Sequence, residues 1–286
     1  MVSGPNAMVY IPQTLIAKRT RTLSDCMNSK FETLAQELAQ AWKTRGTVQL
    51  PLAESSPQSR AEAFEIQEAI EALLGEKIVG WKVGASTKAV QVLEGHDGPV
   101  VGWLMGSRIY ENGAEVPRKV FDGYKIECEF AFRFLEDVVP RYTPYTRADL
   151  DPIIVLHPGL EISGSRWIVE GRKVTTYDCI ADSGTGAGYV TSDDIADWHD
   201  LDLEHMQITA RIDGTEPIQM YTGDYRCDPA DIVVETINGL SERGRGVSKG
   251  DLISTGSLTL PTPLHAGQKY VGQFGDLATL SVSIEK

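Results

Sequence analysis

Apolar residues recur at helical spacing in only a few windows of the chain. Phe31, Leu34, Leu38 and Trp42 fall on one face between Ser29 and Arg45, Ser29 and Glu32 make a capping box, and Gly46 ends the run. Ser59 and Glu62 repeat the signature ahead of Ile66, Ile70, Leu73 and Leu74, with Gly75 just beyond. From Lys77 onward the pattern shortens to strand-like runs broken by turn residues, such as Asn112-Gly113 and a hairpin about Asp213-Gly214 that joins 206–212 to 217–222. Two further helices are predicted, one over about 146–156 and one that starts at Asp228 and Pro229 and carries Ile232, Val233, Ile237 and Leu240. Strand texture returns over 251–255, 269–274 and 278–284. The expected organisation is a flexible terminus over 1–28, a helical cap over 29–76 and a mixed, strand-dominated α+β domain over 77–286.

The stretch from Lys125 to Phe134 alternates strictly and reads as one strand. Ile126, Cys128, Phe130, Phe132 and Phe134 point to a core, whereas Lys125, Glu127, Glu129, Ala131 and Arg133 share the other face. Two adjacent carboxylates repel unless water, a base or a cation lies between them. On the alternation alone, a solvated sheet face balanced by Lys125 and Arg133 is the plainer explanation. A third acid changes the picture: Glu161 lies on a short strand whose Leu160 and Ile162 face the other way. Three carboxylates without histidine suit a hard ion such as Mg²⁺ or Mn²⁺, whose open positions a 2-oxo acid can fill as a chelate. Spacing alone permits this meeting and does not require it.

Composition narrows the field. The 286 residues are 42% hydrophobic and 23% charged, with a net charge of −13, so a phosphate backbone is a poor partner. No run approaches the roughly 18 apolar residues of a membrane span. The cysteines, at 26, 128, 179 and 227, form no C-x-x-C pair, which fits a reducing, cytoplasmic setting. The first 24 residues lack acids but contain Lys18, Arg19 and Arg21, a faint organellar targeting signature that Pro5 and Pro12 interrupt.

From about Ser59 to the C-terminus the chain resembles the 2-keto-4-pentenoate hydratase and 4-oxalocrotonate decarboxylase branch of the fumarylacetoacetase-like superfamily. The anchors come in order: Gly80-Trp81-Lys82-Val83-Gly84, Ser86-Thr87-Lys88-Ala89-Val90-Gln91, Gly102-x-Leu104, Ile126-Glu127-Cys128-Glu129, Leu160-Glu161-x-x-Gly164-Ser165-Arg166, Ala181-Asp182 and Ser254-Thr255-Gly256. The resemblance implies a β-roll, a homo-oligomer in aromatic catabolism, and Mg²⁺ or Mn²⁺ held by Glu127, Glu129 and Glu161. It also places Lys82 at the active site, where an isolated reading would leave a surface lysine. Asp182 is then a candidate proton carrier or a partner that orients Lys82, or else a turn former before Ser183 and Gly184. Thr255 and Gly256 are candidates to hold the substrate carboxylate, or simply end a strand. Ser165 is a substrate-binding candidate, and Arg166 and Arg172 are candidates to read a distal carboxylate, with a salt-bridge role equally open for the arginines.

The implied reaction is hydration of a 2-hydroxy-2,4-dienoate to a 4-hydroxy-2-oxo acid. Decarboxylation of a 2-oxo dicarboxylate is the main alternative, followed by acylpyruvate hydrolysis, for which no histidine–carboxylate pair is evident in the sequence, and by a catalytically idle partner subunit. Two departures bear on the choice. Pro99-Val100-Val101-Gly102 lacks the acid expected just before Gly102-x-Leu104, and Tyr124 stands where the family often has proline. The Gly184–Gly188 stretch is a poor dinucleotide fingerprint and reads as a flexible loop or lid.

Overall fold

A computed structural model describes residues 30–118 and 124–286. In chain order the elements are α1 (Glu32–Thr44), β1 (Val48–Gln49), α2 (Arg60–Leu74), β2 (Ile78–Gly84), α3 (Lys88–Glu94), β3 (Val100–Met105), β4 (Ile109–Tyr110), β5 (Glu115–Val116), β6 (Tyr124–Phe134), α4 (Arg147–Leu150), β7 (Ile154–Ser163), β8 (Trp167–Ile168), α5 (Thr176–Ala181), β9 (Gly186–Thr191), β10 (Ile208–Ile212), α6 (Pro229–Glu242), β11 (Leu252–Ser257), β12 (Thr262–Leu264), β13 (Lys269–Phe274) and β14 (Ala278–Ile284).

The main sheet runs β3-β2-β11-β6-β7-β9-β4, with β12 paired to β6 as an eighth strand, and a second sheet runs β10-β13-β14-β5. The long strand β6 explains how they pack. Its Phe130 ring lies 5.8 Å from Phe274 of β13, and Phe132 packs edge-on against Trp198 at 4.8 Å, so the aromatic face is sealed under the second sheet as the alternation predicts. The opposite face turns into a curled interior, where Leu104, Ala131, Tyr189 and Leu252 form a small apolar cluster of their own. α1 and α2 share one continuous core with the sheet through Phe31, Leu38, Trp42, Ile66 and Ile70.

Local chemistry accounts for the helix ends. Ser59 accepts from the Glu62 amide to start α2, and Gly75 closes it in the left-handed region at φ 62°. Asp228 accepts from Ala230 N–H ahead of Pro229 in α6. At α1 the Ser29 cap and the expected 1–28 terminus lie outside the described residues. Phe31 occupies the N-cap position, and the left-handed C-cap is Arg45 rather than Gly46.

Several expectations are corrected. The helix expected over 146–156 is one turn, α4, then a 3-10 turn over Asp151–Ile153, after which the chain enters β7. Pro152 cannot donate to a continuing helix, and Ile154–Leu156 belong to a buried strand, where a short apolar run has no diagnostic period. The glycines at 186 and 188 do not form a lid: they begin β9, buried between β7 and β4. Two short helices went unforeseen: α3, capped by Thr87, and α5, capped by Thr175 with Asp178 in a capping box. The hairpin at Asp213-Gly214 forms, both residues at positive φ, but its return arm makes only a bridge from Ile218 to Ala210. No helix among the described residues is long and apolar enough to cross a membrane.

Candidate metal centre and its surroundings

β6 and β7 pair so that Glu127 lies directly opposite Glu161 and Glu129 opposite Gly159. Because residues two apart on a strand share a face, this register brings all three carboxylates to one point of the curled interior. One oxygen from each lies within 4.8 Å of the others, and all three side chains are buried. Lys82 arrives from β2, whose Lys82 pairs with Ser254 of the intervening β11. Its Nζ stands 2.8 Å from Glu161 Oε1, and its alkyl stem packs along Gly184 and Gly186.

Three carboxylates against one ammonium leave an excess of negative charge in a dry place. Burial opposes the Lys82 charge, but Glu161, Glu127 and Glu129 outweigh it and hold its pKa above the usual value. Burial foremost, reinforced by Glu161, lifts Glu127 and Glu129 above the ordinary carboxylate range. Glu129 Oε2 is buried with no hydrogen-bond partner, a costly arrangement for an acceptor unless a cation or donor meets it. All donors are hard oxygens, so the set fits Mg²⁺ or Mn²⁺ rather than a thiolate- or imidazole-seeking metal.

The other sequence candidates fall around this centre in different ways. Thr255 Oγ1 is buried and donates to the Phe130 carbonyl at 2.8 Å. Gly256 has φ 106°, and a Cβ there would meet Ser86 Oγ at 2.3 Å. Both lie in the register shift of β11 against β6 between Ser254 and Ser257, a bulge that turns Ser257 toward the acids. Asp182 and Arg166 form a buried ion pair, in which the Arg166 backbone N–H and guanidinium both donate to the Asp182 carboxylate. Arg166 also donates to the Gly186 carbonyl at 2.8 Å and stacks 3.7 Å above the Trp42 ring, so its charge is engaged within the protein. Asp182 thus bears on Lys82 through the turn that follows it, 183–185, and the glycines that touch the lysine stem. Ser165 Oγ accepts from the Trp167 amide at 3.1 Å, and Arg172 pairs with Asp178 at 2.7 Å.

Sequence reasoning passed over several residues here. Ser257 pairs opposite Glu129, and its hydroxyl, which donates to the Thr259 carbonyl, lies near enough to Glu127 to favour its charged form; its place two residues after Thr255 is the available signal. The excursion from Gly84 to Val100 carries α3, and the Glu94 charge is felt at Glu127 as the Lys82 charge is at His96. His96 Nε2 lies 3.6 Å from Glu94 Oε2, and His157 Nδ1 lies 3.0 Å from Asp194 Oδ1. Histidine–carboxylate pairs therefore exist in the fold, contrary to the sequence expectation, because 157 and 194 meet only through tertiary pairing and the 94–96 pair only through a loop.

A strand-rich curled sheet thus encloses a carboxylate triad and a buried lysine. No family model matches the chain. It is 25% identical over 266 residues to a 2-keto-4-pentenoate hydratase of Paraburkholderia phymatum, covering 91% of this chain and 99% of that one. It is 26% identical over 230 residues to a 4-oxalocrotonate decarboxylase of Pseudomonas sp. strain CF600, covering 77% and 84%. Among solved structures, the 4-oxalocrotonate decarboxylase from Pseudomonas putida G7 complexed with magnesium and adipate superposes with a TM-score of 0.77 at 22% identity, over 89% of this chain and 97% of that one. The fold is the fumarylacetoacetase-like one, and the sequence relatives are its hydratases and decarboxylases of 2-oxo-dienoate catabolism.

Proposed function

We propose that the protein is a metal-dependent lyase that hydrates a 2-hydroxy-2,4-dienoate to a 4-hydroxy-2-oxo acid, working as a cytoplasmic homo-oligomer in aromatic catabolism. The observation that carries this reading is the convergence of buried Glu127, Glu129 and Glu161 within 4.8 Å. Glu127, Glu129 and Glu161 would hold Mg²⁺ or Mn²⁺, which supplies Lewis-acid polarisation to a chelating 2-oxo carboxylate. Lys82, whose pKa the three carboxylates hold above its usual value, would set a positive charge where negative charge develops on the substrate. Gly84, on the same face of β2, leaves open space beside Nζ: a Cβ there would lie 3.5 Å from it. Ser257 favours the charged form of Glu127, while Asp182 and Arg166 keep the 183–186 turn pressed on the lysine stem. Thr255, held to the Phe130 carbonyl, and Gly256 shape the bulge at which the substrate carboxylate would rest.

One observation favours a second reading, decarboxylation of a 2-oxo dicarboxylate. Water addition needs a group to deliver and collect a proton at the conjugated chain, and the wall at Pro99, Val100 and Val101 offers none. Glu94 is the acid from α3 whose charge reaches the triad, and hydration assigns it that task. The deciding assay follows the ultraviolet absorbance of 2-hydroxypenta-2,4-dienoate and 2-oxohex-3-enedioate with Mg²⁺ and with EDTA, with products weighed by mass spectrometry. Metal-dependent gain of one water is expected; loss of CO₂ assigns the second reading, and silence on both substrates overturns the two together.

A further inference from the structure

The acids are not the only polar atoms buried in this interior. Beneath them, Tyr189 of β9 and Ser254 of β11 are wholly buried, and neither hydroxyl makes a hydrogen bond of good geometry, although the two face each other. Glu129 Oε2 is the third orphan in the same layer. Three strand registers place them together. Tyr189 pairs with Glu161, Ser254 pairs with Ala131, which follows Glu129 on the inner face of β6, and Gly159 lies opposite Glu129.

The glycine at 159 makes the arrangement possible. A Cβ there would sit 2.2 Å from the Tyr189 hydroxyl, so the phenol crosses the backbone of β7 where any side chain would displace it. The ring packs with Leu104, Ala131 and Leu252, and half-buried Val79 and Ile109 close the cluster. An apolar cage of that kind would favour phenylalanine on packing alone, since an unpaired buried hydroxyl is a net cost. The hydroxyl is therefore retained against the local energetics, and the residue opposite Gly159, against which it lies, is Glu129, whose Oε2 lacks a donor. A phenol keeps its proton at neutral pH, so the group is available as an O–H donor.

We infer that Tyr189 is a positioning residue, whose hydroxyl, backed by Ser254, donates to Glu129 Oε2 and so fixes which carboxylate oxygen Glu129 presents to the metal. The inference rests on the metal-site reading above. Partners of this kind behind a ligating carboxylate typically change metal affinity by about 10–100-fold when removed.

The test is a Mn²⁺ titration of the full-length protein, followed by electron paramagnetic resonance of free and bound Mn²⁺, with Glu129→Gln and Tyr189→Phe beside the wild type and metal-free melting temperatures in parallel. Tyr189→Phe is expected to weaken Mn²⁺ binding at least about tenfold and to alter the bound-Mn²⁺ line shape, with a metal-free melting temperature equal to or above the wild type. Unchanged Mn²⁺ affinity in Tyr189→Phe, with binding lost in Glu129→Gln, overturns the inference and leaves the metal site standing. A lower metal-free melting temperature with unchanged affinity likewise overturns it, as a purely structural tyrosine. No Mn²⁺ binding by the wild type removes the metal-site reading and this inference with it. Ser254→Ala, a smaller lesion at the other end of the relay, gives the same answer should Tyr189→Phe fail to fold: a weaker loss of Mn²⁺ affinity supports the inference, and none overturns it.

Discussion

Two charged clusters are buried in this protein a few residues apart, and they are built on opposite principles. Arg166 and Asp182 match one cation to one anion, the guanidinium takes up further carbonyls, and its flat face lies on Trp42. Glu127, Glu129, Glu161 and Lys82 set three carboxylates against one ammonium, with a carboxylate oxygen left over. The balanced cluster needs nothing from outside and locks a turn in place. The unbalanced one is stable only in company, which is the signature of a binding site rather than of a scaffold.

The difference can be broken from either side. The largest effect is expected at the acids: Glu127→Gln or Glu161→Gln should lower metal-dependent turnover by about 10³-fold or more and abolish any MgCl₂-linked rise in melting temperature, measured by steady-state kinetics and thermal scans. Next comes Asp182→Asn, which strands Arg166 without its partner. Urea denaturation should report a loss of about 3–5 kcal/mol, and added metal should not restore it, whereas a lesion in the acidic cluster responds to metal.

Lys82→Met should reduce kcat/KM by about 10²-fold. It should also lower the melting temperature without metal, because the carboxylates lose their internal counter-charge, and MgCl₂ should recover most of that loss. An equal melting temperature with and without Mg²⁺ in this variant would separate Lys82 from the cluster. The smallest effect concerns acid stability. Burial, with the Arg133 charge, holds His157 below its ordinary 6.5 despite Asp194. The unfolded chain therefore takes up that proton first, so the contribution is whole above pH 6.5 and is lost as the pH falls through the folded-state value. Chemical denaturation of His157→Gln between pH 7 and pH 5 should show a flatter decline than the wild type.

What the amino-acid pattern reveals and conceals follows from which forces act locally. The β6 alternation is legible because one face is aromatic and the other charged, and the caps at Ser59 and Asp228 are legible because each satisfies amides within a few residues. The meeting of Glu161 with Glu127 is a matter of strand register, decided by packing over the whole sheet, and appears in the chain only through resemblance. β9 resembles a loop in the sequence because both its faces are buried, so Gly186, Ala187 and Gly188 show no alternation, and the glycines mark close packing where they suggest flexibility. Tyr189 was missed with it, since one aromatic residue in such a stretch carries no chemical signal until Gly159 is seen beneath it.

The position of β11 has a consequence for how the molecule is made. This strand lies in the middle of the main sheet, parallel to β2 on one side and antiparallel to β6 on the other, yet it is synthesised after both of them. Until residues 252–257 are available, β2 and β6 each present an unpaired edge, and Lys82 has no path to Glu161. Closure of the sheet must await contacts about 170 residues apart in the chain, a slow step for any fold. A growing chain can therefore bring the three carboxylates together on β6 and β7 before β11 seats Lys82 beside them, so the lysine is the last charge to join the cluster.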